Sequence, residues 1–420
     1  MTRNGPASLR IGDFHAIDLR AAVGDALTGL PYSLRIILEN ALRHTSDAER
    51  LRYQNAIVGW LDAGTSDAEV AFQPERLLMH DTTCGPALVD IAGMRDALAE
   101  RGGDPRVLNP RLPVNVSVDH SIAVDQFGTS ASLQTNMQRE ADRNAERFRL
   151  MKWAQNKLEG FTVHPPGTGI LHTFNLEQLA TVVSTGLNDL GERWAYPDTL
   201  IGTDSHTPMI NGLGVMGWGV GGLEAEGVMF GLPVMMRIPD VVGVRVVGKL
   251  PEGAMATDLA LVVTNRLRTY GLNSQFVEFF GPGIDSLSVG DRSVVANMAP
   301  EYGAQTAYFP VDAQSIAYLR STGRPEHLVA FVEQYCRAMG LWREPADDIR
   351  YTDIIEIDLA QIGTSIAGPR RPQDLIAPAD AGHAVSSMSD IPRARSGQLE
   401  HGSVAIAAIT SCTNTTDPRL

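Results

Sequence analysis

Cysteine is scarce in this chain: three in 420 residues, Cys84, Cys336 and Cys412. That excludes a disulfide scaffold and fits a reducing compartment, so the expected location is the cytoplasm. Long apolar runs are missing too. The most apolar stretch, 228–247, is interrupted by Pro233, Arg237, Pro239 and Asp240, so no segment is expected to span a bilayer. The opening residues, MTRNGP, hold no apolar signal core. Cations are outnumbered, 35 Lys and Arg against 49 Asp and Glu, for a formal net charge of −14. A field of that sign disfavours nonspecific nucleic-acid or anionic-membrane binding, while a local basic pocket could still take a small anion. There is no internal repeat and no low-complexity tract.

What is present is ordinary globular composition, 44% hydrophobic and 20% charged, with 40 glycines for tight turns and close backbone approaches. The length calls for two or three domains. Apolar spacing predicts helices over 30–44, 87–100, 138–158, 176–190, from about 223, and over 258–269. Strands are expected over 76–79, 113–118, 199–202, 241–247, 276–280 and 403–410, with DTTCGP (81–86) as a turn and two further strand–helix units up to about 343. This alternation predicts an α/β protein with largely parallel sheets covered by helices. The expected layout is a mainly helical lead-in over 1–62, α/β/α domains over 63–240 and 241–345, and a linker with the start of a third domain over 346–420.

Polar clusters fall where the predicted strands end, which is where open α/β sheets bind ligands. They are Asp119 with His120, His172, Asp204-Ser205-His206, Asn297 with Glu301, and Ser411-Cys412-Thr413-Asn414. A carboxylate beside a histidine orients the ring and raises its pKa, making a proton donor near neutral pH. Taken singly, each of these histidines reads more readily as a satisfied structural residue than as a catalytic one; the recurrence at strand ends is the signal. A literal G-x-G-x-x-G at Gly212, Gly214 and Gly217 does not directly follow a buried strand, so it reads as backbone passing close to something bulky or anionic, not as a dinucleotide loop. The three cysteines lack cluster-motif spacing. Cys336 lies in a helical pattern and reads as buried, Cys84 is open, and only Cys412 combines a strand end with flanking hydroxyl and amide groups.

Together these motifs resemble the aconitase family, of the long bacterial and cytosolic type. The longest match is IGTDSHTPMINGLGVMGWGVGGLEAEGVMFGLP (201–233). With it come VDHSI (118–122), RNAERFRLMKW (143–153), PPGTGILH (165–172), FVEFFGPG (276–283), ANMAPEYGAQTAYFPVD (296–312) and HGSVAIAAITSCTNT (401–415). The resemblance implies aconitase-like three-layer α/β/α domains and a hydro-lyase acting on a tricarboxylic acid such as citrate or isocitrate via cis-aconitate. It implies a 4Fe–4S cluster with Cys412 as first ligand. It further implies catalytic roles for Asp119, His120, His172, Asp204, His206 and Glu301, and substrate-binding roles for His80, Ser205 and Asn297. In that chemistry an iron not held by cysteine acts as Lewis acid while a protonated histidine assists hydroxyl departure.

Two departures bear on this. The family pattern runs on past SCTNT to a C-x-x-C pair, substrate-binding arginines and a swivelling domain that carries a serine base, whereas this chain ends at Leu420. A truncated third domain is therefore expected, with no stable cluster and no turnover from the chain alone, and a second polypeptide as candidate partner. Second, His80 in LLMHDTTCGPA stands where aconitases carry Gln. That histidine, with MMRIPDVVGV (235–244), resembles the iron–sulfur 2-methylcitrate dehydratases, an alternative substrate class. A non-catalytic relic and an RNA-binding relative are the competing readings, the latter disfavoured by the charge.

Overall fold

The computed structural model describes residues 6–118, 122–165, 180–188, 190–344, 348–368 and 370–387. Asp119, His120, His172, Cys412 and the strand expected over 403–410 lie outside the described residues.

The chain opens on a β-hairpin that periodicity had not signalled, β1 (Ser8–Ile11) with β2 (Phe14–Ile17). Helices follow over Leu19–Val23, Ala26–Gly29, Tyr32–His44 and Asp47–Ala63. The third is the helix expected over 30–44, and every residue from Tyr32 to Leu42 is buried. A short antiparallel pair joins β3 (Glu69–Phe72) to β11 (Val234–Arg237).

The central sheet is five-stranded and wholly parallel. It is built from β4 (Arg76–His80), β5 (Val114–Ser117), β6 (Phe161–His164), β9 (Thr199–Gly202) and β10 (Met216–Gly219), in the order β10-β9-β4-β5-β6. Leu77, Leu78, Met79, Val114, Val116, Leu200 and Ile201 are all buried, which explains the near-continuous apolar runs, since helices cover both faces of such strands. Each large apolar side chain buried there contributes about 1.5–3 kcal/mol. Register places His80 opposite Ser117, Ser117 opposite His164, and Leu78 opposite Gly202. The carboxyl ends of the four strands thus form one edge.

A second parallel sheet runs β14 (Thr306–Tyr308), β13 (Phe276–Phe280), β12 (Val241–Val247), β15 (Asp353–Asp358). Its strands and the helix Ala256–Tyr270 enclose a separate apolar core that includes Val244, Val263, Phe279 and Phe309. A third, mixed sheet appends β8 (Arg193–Pro197) and β7 (Val183–Leu187) to the opening hairpin.

Three local expectations change. The helix expected from 87 begins at Asp81, with Pro86 inside it, because His80 caps the first turn by accepting the Thr82 N–H. The single surface helix expected over 138–158 is two helices, Ser132–Arg143 and Ala145–Lys157, meeting at Asn144. Residues 183–187 form β7 and not the end of a helix, since β-branched Val183 and Thr185 pair with β8.

Candidate active site at the carboxyl ends of the central sheet

The chain leaves β9 through Gly202 and Thr203 and turns sharply at Asp204. The His206 N–H donates to Asp204 Oδ1 at 2.7 Å and the Thr207 hydroxyl to the Asp204 carbonyl at 2.7 Å. This Asx turn leads into the buried 3-10 helix Thr207–Leu213. Packed along it lies the helix Val289–Asn297, buried throughout. The approach is close enough that a Cβ at Gly212 would meet Ser293 N at 2.6 Å and Ser293 Cα at 2.7 Å. The glycine-rich segment therefore serves the approach of backbone to the protein's own helix. Farther on, a Cβ at Gly219 would meet the Asp204 carbonyl oxygen at 2.9 Å, so that glycine makes room for the turn itself.

The packing brings Asn297 to His206, with Nδ1 and Oδ1 2.7 Å apart. Asn297 is 1% exposed and its amide nitrogen faces Met209 Sδ at 3.7 Å. With the amide so oriented, its oxygen accepts the Nδ1 proton, which leaves Nε2 as the other working nitrogen of the ring. Glu301 follows on the next short helix, Ala299–Tyr302; its Oε2 is buried and has no hydrogen-bond partner among the described residues. Ser205 is exposed.

Beside this cluster stands a second one at the end of β4. The His80 N–H donates to Thr203 Oγ1 at 3.1 Å, and Thr203 Oγ1 lies 2.5 Å from Thr83 Oγ1. His80 Nδ1 is 2.8 Å from Thr82 Oγ1 and 3.2 Å from Asp81 Oδ1. Asp81, 0% exposed, receives Arg147 Nη1 on its other oxygen at 3.0 Å. Thr203 and Asp204 are consecutive, so the two clusters share one edge. His164, at the end of β6, sits 3.0 Å from Asn115 Oδ1, and burial pushes its imidazole below the usual range.

Of the sequence-derived candidates, Asp204, His206 and Asn297 are thus in hydrogen-bonded contact. His80 reaches the same edge through Thr203, and among the described contacts neither Glu301 nor Ser205 touches them. Sequence reasoning missed Asp81, Arg147 and Thr203. Asp81 was legible, since it adjoins His80 as Asp119 adjoins His120; Arg147 lay within a quoted motif but without a partner to point to.

Thiolate ligation finds no support among the described residues. Burial, and then the Asp81 charge, push the Cys84 thiol up to about 12; burial alone does the same for Cys336. Both are protonated near neutral pH. No group of three or more His, Cys, Asp or Glu among the described residues is arranged to hold a metal ion. No helix among the described residues is long and apolar enough to cross a membrane. A cavity of about 510 Å³ lies at the opposite, amino-terminal ends of β4 and β5, beside Glu75, Arg76 and Arg111, away from these clusters.

The class defined so far is an α/β protein whose imidazoles and carboxylates meet where parallel strands end. A profile of the Aconitase family (aconitate hydratase) matches residues 53–420. Aconitate hydratase A of Escherichia coli (strain K12) is 47% identical over 423 residues, covering 96% of this chain and 47% of that protein. The protein of the same name from Thermus thermophilus is 47% identical, covering 93% of this chain and 46% of its own, and that from Bacillus subtilis 45%, covering 96% and 47%. The chain belongs to the aconitase family, and it spans about half the length of the curated relatives it matches. A solved structure titled Thermococcus kodakaraensis aconitase X (holo-form) superposes with a TM-score of 0.29 at 10% identity, over 79% of this chain and 67% of that one, too remote a likeness to inform the site.

Proposed function

We propose that this chain supplies the imidazole–carboxylate wall of an aconitase-type hydro-lyase site, which removes water from a hydroxy tricarboxylic acid and adds it back. The observation that carries the reading is the contact of His206 with Asn297, made between elements of two separately cored units and set beside Asp204. In the dehydration a base removes a proton from carbon, the neighbouring C–O bond breaks as the double bond forms, and the hydroxyl leaves as water once it has gained a proton. His206, with its Nδ1 proton held by Asn297, is placed to hand that proton over from Nε2. Glu301 keeps the catalytic role that the resemblance implies.

The family resemblance brings a 4Fe–4S cluster into the proposal. The described residues do not fit one by themselves, because Cys84 and Cys336 are buried and protonated. Cys412, Asp119, His120 and His172 keep the roles that the resemblance implies, as does Ser205. In the same reading 63–240 and 241–345 are two α/β/α domains with the candidate side chains converging on a cleft between them, and the compartment is the cytoplasm.

Anaerobic reconstitution with iron and sulfide tests this, first on the chain alone and then with a polypeptide carrying the C-x-x-C pair and swivelling domain of a relative. With one cysteine of three outside the two buried positions, the chain alone is expected to hold no stable cubane by iron content and visible absorption. Complemented protein is expected to turn over citrate or 2-methylcitrate, and His206→Asn to lower kcat by about 10²–10⁴-fold, the usual worth of a proton-transfer group. Stoichiometric cluster in the chain alone, or His206→Asn at full activity, overturns the proposal. The methylcitrate reading rests on His80 and on MMRIPDVVGV (235–244), and the ratio of the two turnovers decides it.

A further inference from the structure

We propose that the cavity of about 510 Å³ at the amino-terminal ends of β4 and β5 binds a small organic acid of one negative charge, whose carboxylate Arg111 takes. The site goes beyond the hydro-lyase reading, since it lies at the other end of the central sheet.

The cavity forms where several elements meet. The segment entering β5 supplies Arg111 and Leu112, β7 supplies Thr185, β8 supplies Tyr196, and the helix Gly222–Met229 supplies Val228. Its volume falls within the range of small-molecule sites, about 300–1,000 Å³. Two glycines keep room for its polar side chains. A Cβ at Gly186 would meet the Tyr196 hydroxyl oxygen at 2.6 Å, and one at Gly231 would meet Arg111 Cγ at 3.2 Å.

Charge decides the class of ligand. Arg76 lines the cavity but is paired with Asp198 at 2.9 Å, and Glu75 lines it paired with Arg43 at 2.7 Å. Arg111 makes no ion pair and no side-chain hydrogen bond among the described residues; its backbone N–H alone is engaged, by the Met229 carbonyl at 2.7 Å. The Gln73, Thr185 and Tyr196 side chains likewise make no hydrogen bond among the described residues. One unpaired guanidinium calls for one negative charge, and its planar fork fits a carboxylate through two parallel hydrogen bonds. A second charge on the ligand would face Glu75, whose carboxyl is pushed up by burial but held ionised by Arg43 and His44. That disfavours a phosphate monoester, which carries about −1.5 to −2. Leu112, Val228 and Leu232 cover a hydrocarbon body, and the unused hydroxyls and amide suit a hydroxyl group on it.

The test titrates the full chain, labelled with ¹⁵N, with mandelate, a hydroxy acid of one carboxylate and an apolar ring, and reads the backbone amide shifts. Mandelate is expected to bind with a Kd on the order of 1 mM and to move the amides of Leu112, Ser184 and Thr185. Affinity is expected to fall about tenfold or more in Arg111→Gln, and to stay within a few-fold in Arg111→Lys, which keeps the charge. Arg111 is exposed, so neither change threatens the fold. The neutral mandelamide is expected to bind about tenfold more weakly than mandelate, and His206→Asn to bind mandelate as the wild type does, which separates the cavity from the carboxyl-end site. Unmoved amides at ten times that concentration, equal affinity in Arg111→Gln, equal binding of mandelamide, or binding lost in His206→Asn overturns the proposal. The measurement needs no turnover, so it stands or falls apart from the hydro-lyase reading.

Discussion

Glu75 shows how a buried carboxylate is kept ionised in this molecule. Its Oε1 lies 2.7 Å from Arg43 Nη2 and 3.6 Å from His44 Nε2. Burial pushes its carboxyl up, but Arg43 and His44 outweigh that and hold it below the usual carboxylate range. On the far side of Arg43, Glu39 is pushed the other way, chiefly by burial. A lowered folded pKa gives stability that is present above the unfolded value of about 4.3 and lost as pH falls through the folded one. The urea midpoint of the wild type is therefore expected to drop more steeply below about pH 4.3 than that of Glu75→Gln. Parallel curves for the two proteins would show that the pair contributes nothing. At this same scale the sequence was half legible. Asp204 and His206 announced themselves by adjacency, whereas Arg147 could be tied to Asp81 only by seeing a helix turn across the end of β4.

Between elements, the contact of the 3-10 helix Thr207–Leu213 with the helix Val289–Asn297 holds the site together. Gly212→Ala puts a methyl group against Ser293 backbone, which cannot yield as a flexible side chain would. Overpacking of this kind typically costs about 1–3 kcal/mol. The same shift should lengthen the His206–Asn297 contact. Gly221→Ala is the control, with nothing within 4 Å of its added carbon. Chemical denaturation is expected to show Gly212→Ala destabilised and Gly221→Ala near the wild type; equal midpoints would mean that the close approach carries no weight. The repeated glycines were visible in sequence and rightly separated from a dinucleotide loop, since no buried strand leads into them. What they pass close to was not visible, because the partner helix lies some 80 residues on.

Across the whole molecule, the two cores are tied through the buried helix Tyr32–His44. Its first backbone N–H groups, on Tyr32 and Ser33, donate to the Glu278 carboxylate of β13 at 3.1 and 2.9 Å, joined by the Ser33 and Tyr351 hydroxyls at 3.0 and 2.9 Å. The carboxylate does the work of a helix cap supplied from 245 residues away, satisfying donors that the helix cannot satisfy itself. Glu278→Ala strands those donors in a dry interior, at about 1–3 kcal/mol for each group left unpaired. Its expected signature is a lower denaturation midpoint together with faster amide exchange through 32–44; unchanged exchange there would show that the helix is held by apolar packing alone.

Much of the architecture follows from local composition: apolar runs in β4, β5, β9 and β12 make strands buried on both faces, and their motifs place the chain in its family. Helix starts and breaks at Asp81 and Asn144 were less legible, because a cap or a one-residue kink turns on hydrogen bonds that composition does not record. Which polar groups meet was decided by tertiary structure alone. His206 and Asn297 are 91 positions apart, Asp81 and Arg147 66, Ser33 and Glu278 245. Such pairs depend on strand register and on the angle at which helices pack. A residue's own neighbours determine whether it lies in a strand or a helix, but only the closing of distant elements on one another determines what its side chain touches.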